Sequence, residues 1–436
     1  MRAGVIMPPL PRRSAELART AEALGFASML YPDSQNLAPD VWQQLALAAQ
    51  ATTTIHLGPG VTNPLTRDPA VTAGAALTLQ VESGGRAICG VGRGDSSLQR
   101  IGKTTVTIAE FERWLVTVQA YLGGATVERN GFTSRLEWLR AVEVAKVPVE
   151  VAATGPRAIA VAARHAERIA FAVGADPERI GWALETARAA AREAGRDPAS
   201  IRYGAYLNCA VHPDLAVARD AVRGTVATFA RFSSIAGASL DHLPPRLREV
   251  AARLRTHYDM RVHTRAKAEH ARTLEDEFID WFAIAGPLEI ALPRFQRLAA
   301  LGLDFCHVVP GSGELRRDVA ATILQSIATE VVPVLHAADV PPDASRAERL
   351  RERLRRGLDA VHVDVHDESE AHAGHPGAAG GAGHYQVVVV SARFEGRAAL
   401  ARHRLVYEAV GDLLPVEVHA LAITAYTPDE WRRRPS

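Results

Sequence analysis

Cysteine is scarce in this chain: three in 436 residues, Cys89, Cys209 and Cys306, each alone in an apolar run (AICGVG, YLNCAV, DFCHVV). None has the spacing of a redox pair or a zinc site, so a disulfide framework is excluded and small, buried, reduced thiols are expected. Charge of one sign is lacking too. With 50 Lys and Arg against 49 Asp and Glu, the net charge of +1 gives no global attraction to nucleic acid or to a membrane. No segment approaches the about 18 uninterrupted apolar residues of a membrane span, and the opening MRAGVIMPPLPRRSAEL has too short an apolar run for a signal peptide. A cytoplasmic protein is expected. No GxGxxG fingerprint or P-loop is present, which disfavours a nicotinamide-only enzyme, and no fixed-period repeat suggests a solenoid.

Hydrophobic residues, at 47%, suffice for a large core, and the length favours two domains. Residues 1–330 alternate short β-type runs with amphipathic helical ones, the pattern of βα units around a parallel sheet. Candidate strands are Ala3–Met7, Ser28–Tyr31, Ile55–Val61, Ala87–Val91, Val147–Ala152, Arg168–Val173, Tyr203–Val211 and Asp304–Val309, the number a closed (β/α)8 TIM barrel requires. Between them, Ser14–Leu24, Val41–Thr52, Pro69–Glu82, Ile108–Leu122 and Glu178–Ala194 carry apolar residues three and four apart.

Two segments depart from the alternation. ATVERNGFTSRLEWL predicts a hairpin turning at Asn130-Gly131, and Phe229–Arg272, with its basic run RLREVAARLRTHYDMRVH, predicts an insertion covering a catalytic mouth or an oligomer interface. Val331–Ala344, with Pro333 and Pro341-Pro342, reads as a semi-stiff linker. The domains are therefore expected at 1–335 and 344–431, joined by 336–343. In the second, a charged helix (Arg346–Gly357), a strand (Ala360–His366), a Gly/Ala/His loop, a strand (His384–Ser391), a helix (Arg397–Leu413) and a strand (Val416–Thr424) end at Thr427-Pro428.

Two glycine-rich segments follow successive strands: Leu57-Gly58-Pro59-Gly60-Val61-Thr62-Asn63-Pro64 and Cys89-Gly90-Val91-Gly92-Arg93-Gly94-Asp95-Ser96. Either alone could close an ordinary βα turn, but two at equivalent positions describe a binding rim where a flat ring approaches backbone. With Thr66–Thr72 and Ser83-Gly84-Gly85-Arg86, they resemble the luciferase-like superfamily, closest to its methylenetetrahydromethanopterin reductase-like branch, over about residues 1–315. The resemblance implies a TIM barrel oxidoreductase that uses coenzyme F-420 or FMN and forms a homo-oligomer through the barrel. It implies cofactor contacts from Gly60, Val61, Thr62, Asn63, Gly92, Arg93, Gly94, Asp95 and Ser96, with a cis peptide at Gly60-Val61. It also places the cofactor phosphate at Thr154, Gly155, Pro156 and Arg157, where a strand turns into a helix whose amides and macrodipole attract anions. The same four residues equally suit a plain βα turn with Pro at the first helical position.

Acid–base candidates come from Tyr31-Pro32-Asp33-Ser34-Gln35 after the second strand, with Asp33 first and Gln35 beside it. A carboxylate there can orient a small-molecule substrate or move a proton, or can simply cap a helix. Hydride transfer to or from that substrate is the expected chemistry, with the cofactor carrying the hydride.

In roughly the last fifth of the chain, Phe394-Glu395-Gly396 precedes Ala401-Arg402-His403-Arg404-Leu405-Val406-Tyr407. This resembles the signature of the BolA family and implies a small class II KH-like α+β domain. The resemblance further implies a monothiol glutaredoxin partner and a shared 2Fe–2S cluster, with His403 and the loop histidine His372 as metal ligands and the sulfur ligands supplied by the partner. A second reading makes the chain chiefly an interaction or regulatory protein with a catalytically degenerate barrel, either an iron–sulfur or redox adaptor or a DNA-binding regulator; for the latter Arg402, Arg404 and Arg432–Arg434 would face nucleic acid, but that patch is short and lies near the acidic run Asp367–Glu370.

Overall fold

The computed structural model describes residues 1–142, 144–234, 240–337, 346–358, 360–367, 383–410 and 418–433. The chain divides into two compact units, Met1–Ala337 and Ala338–Ser436.

In the first unit, eight parallel strands form the barrel: β1 (Arg2–Ile6), β2 (Ser28–Tyr31), β3 (His56–Pro59), β4 (Cys89–Val91), β5 (Val149–Ala153), β6 (Arg168–Phe171), β7 (Arg202–Val211) and β8 (Phe305–Val309). They pair in the order β3-β2-β1-β8-β7-β6-β5-β4, and a short strand, Ile284–Gly286, pairs in parallel with the end of β7. Two isolated bridges, Leu57 to Ala87 and Thr62 to Val91, close the cylinder between β3 and β4. Glycine makes that seam possible. A Cβ on Gly58 would lie 2.2 Å from the carbonyl oxygen of Ile88, and one on Gly90 would lie 2.0 Å from that of Pro59. Both distances are impossible for a real side chain, so the two backbones approach only because these side chains are missing.

All eight sequence-predicted strands are present, within two residues at most ends. The helices between them start on chemical signals. Asp68 caps Pro69–Glu82, whose first residue is Pro, and Thr107 with Glu110 forms a capping box on Ile108–Leu122. The hairpin turns at Asn130 and Gly131, both at positive φ (54° and 79°), and Arg129 pins it to Asp68.

Polar residues fill the lower barrel. Glu150, fully buried, accepts from Arg168 Nε at 2.8 Å and pairs with His307 Nε2 at 2.9 Å, while His307 Nδ1 meets Ser28 Oγ at 3.3 Å. Burial pushes the Glu150 carboxyl up, but the charges of His307 and Arg168 outweigh it and hold it at about 2. The Arg168 guanidinium lies 3.9 Å from the Phe305 ring centroid.

The sequence expectation of a linker from 331 fails at its beginning. Arg317–Ser326 continues through a π-helical stretch, Ile327–Val331, into a last helix, Val332–Ala337. The wide turn sits where the Pro333 ring would clash with the carbonyl four residues earlier, so the helix survives its proline. Ile323, Ile327, Val331, Val332 and Leu335 are buried in the barrel core, and His336 Nε2 accepts from Ala3 N at 2.9 Å. Arg317–Ala337, with mean hydropathy 1.4 over its most apolar stretch, is also long and apolar enough to cross a membrane. Residues 338–343 of the expected linker lie outside the described residues.

The second unit has a three-stranded sheet of β9 (His362–Asp367), β10 (Gly383–Val390) and β11 (Val418–Tyr426), the first pair antiparallel and the second parallel. Helices Arg346–Gly357 and Ala399–Val410 cover it over a core of Leu350, Leu354, Tyr385, Val387, Phe394 and Val406. Thr427-Pro428 ends the last strand but opens a helix, Pro428–Arg432, through a capping box between Thr427 and Glu430.

Candidate functional site

The barrel strands are sealed along most of their length, but Gly60, Val61, Ala152 and Thr154, at the carboxyl ends of β3 and β5, are only half-buried. Solvent therefore reaches the barrel wall at that pole. Both glycine segments converge there. A Cβ on Gly92 would lie 2.9 Å from Val61 and 4.0 Å from Ala152, and one on Gly94 would lie 3.2 Å from Asn63 Cβ. The Gly60-Val61 peptide bond is cis, as the resemblance implied.

Asp33 occupies the β2 side of this mouth and is 5% exposed. It accepts from Thr62 Oγ1 at 2.7 Å and from Gln35 Nε2 at 2.7 Å, and Arg67 Nε lies 3.6 Å away. Burial pushes its pKa above the ordinary value, against the opposing pull of the Thr62 hydrogen bond and the Arg67 charge. Arg67 is shared with Asp40, at 2.7 Å, which weakens its hold on Asp33.

Several rim residues are engaged within the protein. Asn63 Oδ1 accepts from the amides of Leu65 and Thr66 at 3.1 and 3.2 Å, shaping its own loop. Arg93 donates to the Val106 carbonyl, through Nε at 2.9 Å and Nη2 at 2.5 Å, and its pKa is lowered first by burial and then by the charge of Arg157. Arg157, in the first turn of helix Pro156–His165, is exposed. Asp95 forms a buried two-pronged ion pair with Arg231. Ser96 presents a buried hydroxyl with no partner, as does Thr66.

Helix Pro156–His165 begins at Gly155 with no side-chain cap. Its first amides therefore face the mouth without an acceptor from a capping side chain. The insertion reaches this point: His242 Nε2 would lie 3.9 Å from a Cβ on Gly155, and the His242 carbonyl accepts from Arg179 Nη1 at 3.2 Å. Arg179 stacks over Trp182 at 3.7 Å, and burial pulls its pKa down to about 10. The rest of the insertion is tied in by Tyr258, whose hydroxyl meets Thr228 Oγ1 at 2.7 Å and His263 Nδ1 at 2.8 Å. Helix Pro245–His257 takes up the first part of the basic run, which then breaks into a short 3-10 turn, Met260–Val262.

Sequence reasoning passed over Glu150, Arg168, Tyr206, Asn208 and His307 as strand interior. The signal was there. Each is a polar side chain in an otherwise apolar run that occupies an inward position of a two-residue alternation.

In the second unit His403 is half-buried on helix Ala399–Val410, on the face that also exposes Leu400, Arg404 and Tyr407. Arg402 points elsewhere, donating to Glu430 and to the Ala425 carbonyl. His372 lies outside the described residues. Among the described residues no group of three or more His, Cys, Asp or Glu side chains could hold a metal. Any cluster bound through His403 therefore requires further ligands.

A family model described as luciferase-like monooxygenase matches residues 3–304, and one described as BolA-like protein matches residues 354–430. The chain is 30% identical over 325 residues, 73% of its own length and 94% of the relative's, to 5,10-methylenetetrahydromethanopterin reductase of Archaeoglobus fulgidus. It is 45% identical over 86 residues to BolA-like protein 1 of Mus musculus, a match spanning 20% of this chain and 61% of the mouse protein. Among solved structures, the coenzyme F-420-dependent tetrahydromethanopterin reductase of Methanopyrus kandleri superposes with a TM-score of 0.60, covering 77% of this chain and 99% of that one. Identity there is 23%, so that likeness speaks for the TIM-barrel fold.

Proposed function

Because this chain belongs to the luciferase-like monooxygenase family and carries a BolA-like domain after the barrel, we propose that it is a flavin- or deazaflavin-dependent oxidoreductase with an appended adaptor. Its reaction is hydride transfer to or from a small organic substrate at the carboxyl pole of the barrel. The observation that supports this most is the convergence of Gly60-Val61, Gly92 and the uncapped helix at Gly155 on one pole of the barrel. On this reading a planar ring lies against Val61 and Gly92, and a phosphate meets the amides of helix Pro156–His165, whose first turn carries Arg157. Coenzyme F-420 is the cofactor named for the solved reductase of Methanopyrus kandleri, and FMN shares the same ring-plus-phosphate outline.

The bound cofactor supplies the hydride chemistry. Asp33 is the proton-handling group, kept neutral to higher pH by burial and poised by Thr62 and Gln35. The ion pair of Asp95 with Arg231 fixes the second rim, and the insertion limits water access to the helix N-terminus. Titration of the purified full chain with F-420 and FMN by fluorescence quenching tests this reading. Micromolar binding of one of them is expected, and binding of neither removes the catalytic claim.

For the adaptor, the reading is a monothiol glutaredoxin docked on the His403 face, with a shared 2Fe–2S cluster. Leu400, Arg404 and Tyr407 supply a mixed apolar and basic surface around that imidazole. The commitment of Arg402 to Glu430 removes one cation from any phosphate-binding patch, which keeps nucleic acid second. Co-purification with a glutaredoxin should give a visible Fe–S spectrum that His403→Ala abolishes. An unchanged spectrum counts against the adaptor reading. Homo-oligomer contact is assigned to the apolar surface of Leu47, Val71 and Val116, exposed on three barrel helices, and a cytoplasmic location fits the reduced cysteines.

A further inference from the structure

One barrel strand carries polar atoms that the protein leaves without partners. Gly204, Tyr206 and Asn208 alternate into the barrel from β7, in register with Phe305, His307 and Val309 of β8. Tyr206, Phe305 and Val309 belong to the interior cluster with Ile6, Leu30 and Ala172. The Tyr206 hydroxyl and both amide atoms of Asn208 are buried and have no hydrogen-bond partner, in residues 3% and 1% exposed. Beside Tyr206 the pattern is the reverse, since both ring nitrogens of its register partner His307 and both oxygens of Glu150 are engaged. The unsatisfied set begins at Tyr206 and continues toward the carboxyl pole at Asn208. A buried amide with nothing to bond is destabilising, and an apolar side chain of the same size would avoid that loss.

Resting on the oxidoreductase reading above, we propose that Asn208, with Tyr206 beneath it, hydrogen-bonds the lactam edge of a planar heterocycle that enters the barrel mouth. A lactam presents an N–H beside a C=O, and a carboxamide answers both from one plane with its own oxygen and NH2. The Tyr206 hydroxyl provides a further donor or acceptor one layer deeper. On the other side of the cylinder, with β1 and β8 between, β2 leads to Gln35, whose Oε1 is also buried without a partner. The ring is thus addressed from two walls. A flavin-type cofactor and a pterin-type substrate both carry such an edge, and binding measurements separate them.

The test uses the full chain as wild type, Asn208→Leu and Tyr206→Phe, with thermal unfolding of the ligand-free proteins and titrations with F-420, FMN and tetrahydrofolate as a pterin probe. Asn208→Leu should raise the unfolding midpoint of the empty protein, because it removes two unsatisfied buried atoms, while weakening the recognised ring about tenfold. Loss confined to F-420 or FMN assigns the lactam to the cofactor; loss confined to the pterin probe assigns it to the substrate. Tyr206→Phe, which deletes only a hydroxyl, should weaken the same ligand by a smaller factor and keeps the test decisive if Asn208→Leu fails to fold. Unchanged affinity for every ligand that wild type binds, in the variants that fold, overturns the proposal. Wild-type protein that binds neither F-420 nor FMN overturns the oxidoreductase reading itself, a different failure.

Discussion

Asp95 and Arg231 form a two-pronged ion pair sealed from water, with Nη2 to Oδ1 at 3.0 Å and side chains 8% and 9% exposed. The pair joins the glycine-rich loop after β4 to the helix Leu215–Phe232 that leads into the insertion, and Tyr258 from the insertion lies under the guanidinium at 4.8 Å. Removing one partner leaves a buried charge unanswered. Arg231→Met or Asp95→Asn should each cost about 3 kcal/mol, whereas Arg231→Met with Asp95→Leu should recover part of the loss. Urea denaturation of the three proteins checks this, and additive losses in the double variant refute it.

Asp33→Asn should leave cofactor affinity within about twofold but lower kcat by about a hundredfold or more, if the carboxyl moves a proton. Because burial raises the Asp33 pKa, the limb of the kcat/KM profile that depends on this group should lie above pH 3.8, its ordinary value, and vanish in the variant. A profile identical in both proteins would show that Asp33 only shapes the loop.

Glu150 should make the barrel acid-sensitive. Its folded pKa, about 2, is below the ordinary 4.5, so its contribution to stability is complete above 4.5 and is lost as pH falls from 4.5 toward 2. Glu150→Gln should lower stability at pH 7 and flatten the stability profile across that window. An unfolding midpoint in the variant that still drops as steeply between pH 4.5 and 2 would assign the sensitivity elsewhere.

Gly90→Ala and Gly84→Ala should differ sharply. The first forces a methyl onto the Pro59 carbonyl oxygen across the barrel seam and should cost about 4 kcal/mol or more. The second meets open space, and only its φ of +66° resists, for about 1 kcal/mol. Chemical denaturation ranks them, and equal losses would mean that the seam can spread.

Thr427→Ala should cost about 1 kcal/mol through loss of the capping box. Hydrogen exchange read by mass spectrometry should show reduced protection in Pro428–Arg432 with the barrel unaffected. Unchanged protection would mean that the ion pair of Arg402 with Glu430 holds that helix alone.

The strands were legible because β-type runs such as SMLY and RIAF are short, apolar and bounded by turns, and both rims were legible because glycine clusters are visible in a string of letters. Val332–Ala337 was not, because Pro333 is an ordinary helix breaker and only tertiary contact with β1 makes the widened turn worthwhile. The proline of Thr427-Pro428 suggests a stop, although the Glu at the third following position spells a capping box. Within the site, the contact of Asp33 with Gln35 could be read from their closeness in sequence, whereas its contact with Thr62, from a different strand end, could not. The assignment of Asn63 and Arg93 to intraprotein bonds was hidden, because both partners are backbone groups and any residue can provide one. The polar residues of β5, β7 and β8 needed only the two-residue alternation to be followed through the apolar runs.

The barrel lining is lopsided: bare backbone at Gly58, Gly60, Gly90 and Gly92 on one wall, and Arg168, Tyr206, Phe305 and His307 on the other. The first wall has no freedom to vary, because any methyl at Gly58 or Gly90 would prise the seam apart. Divergence toward new substrates must therefore run through the bulky wall, where exchanging Tyr206 or Val309 reshapes the chamber and leaves its closure untouched.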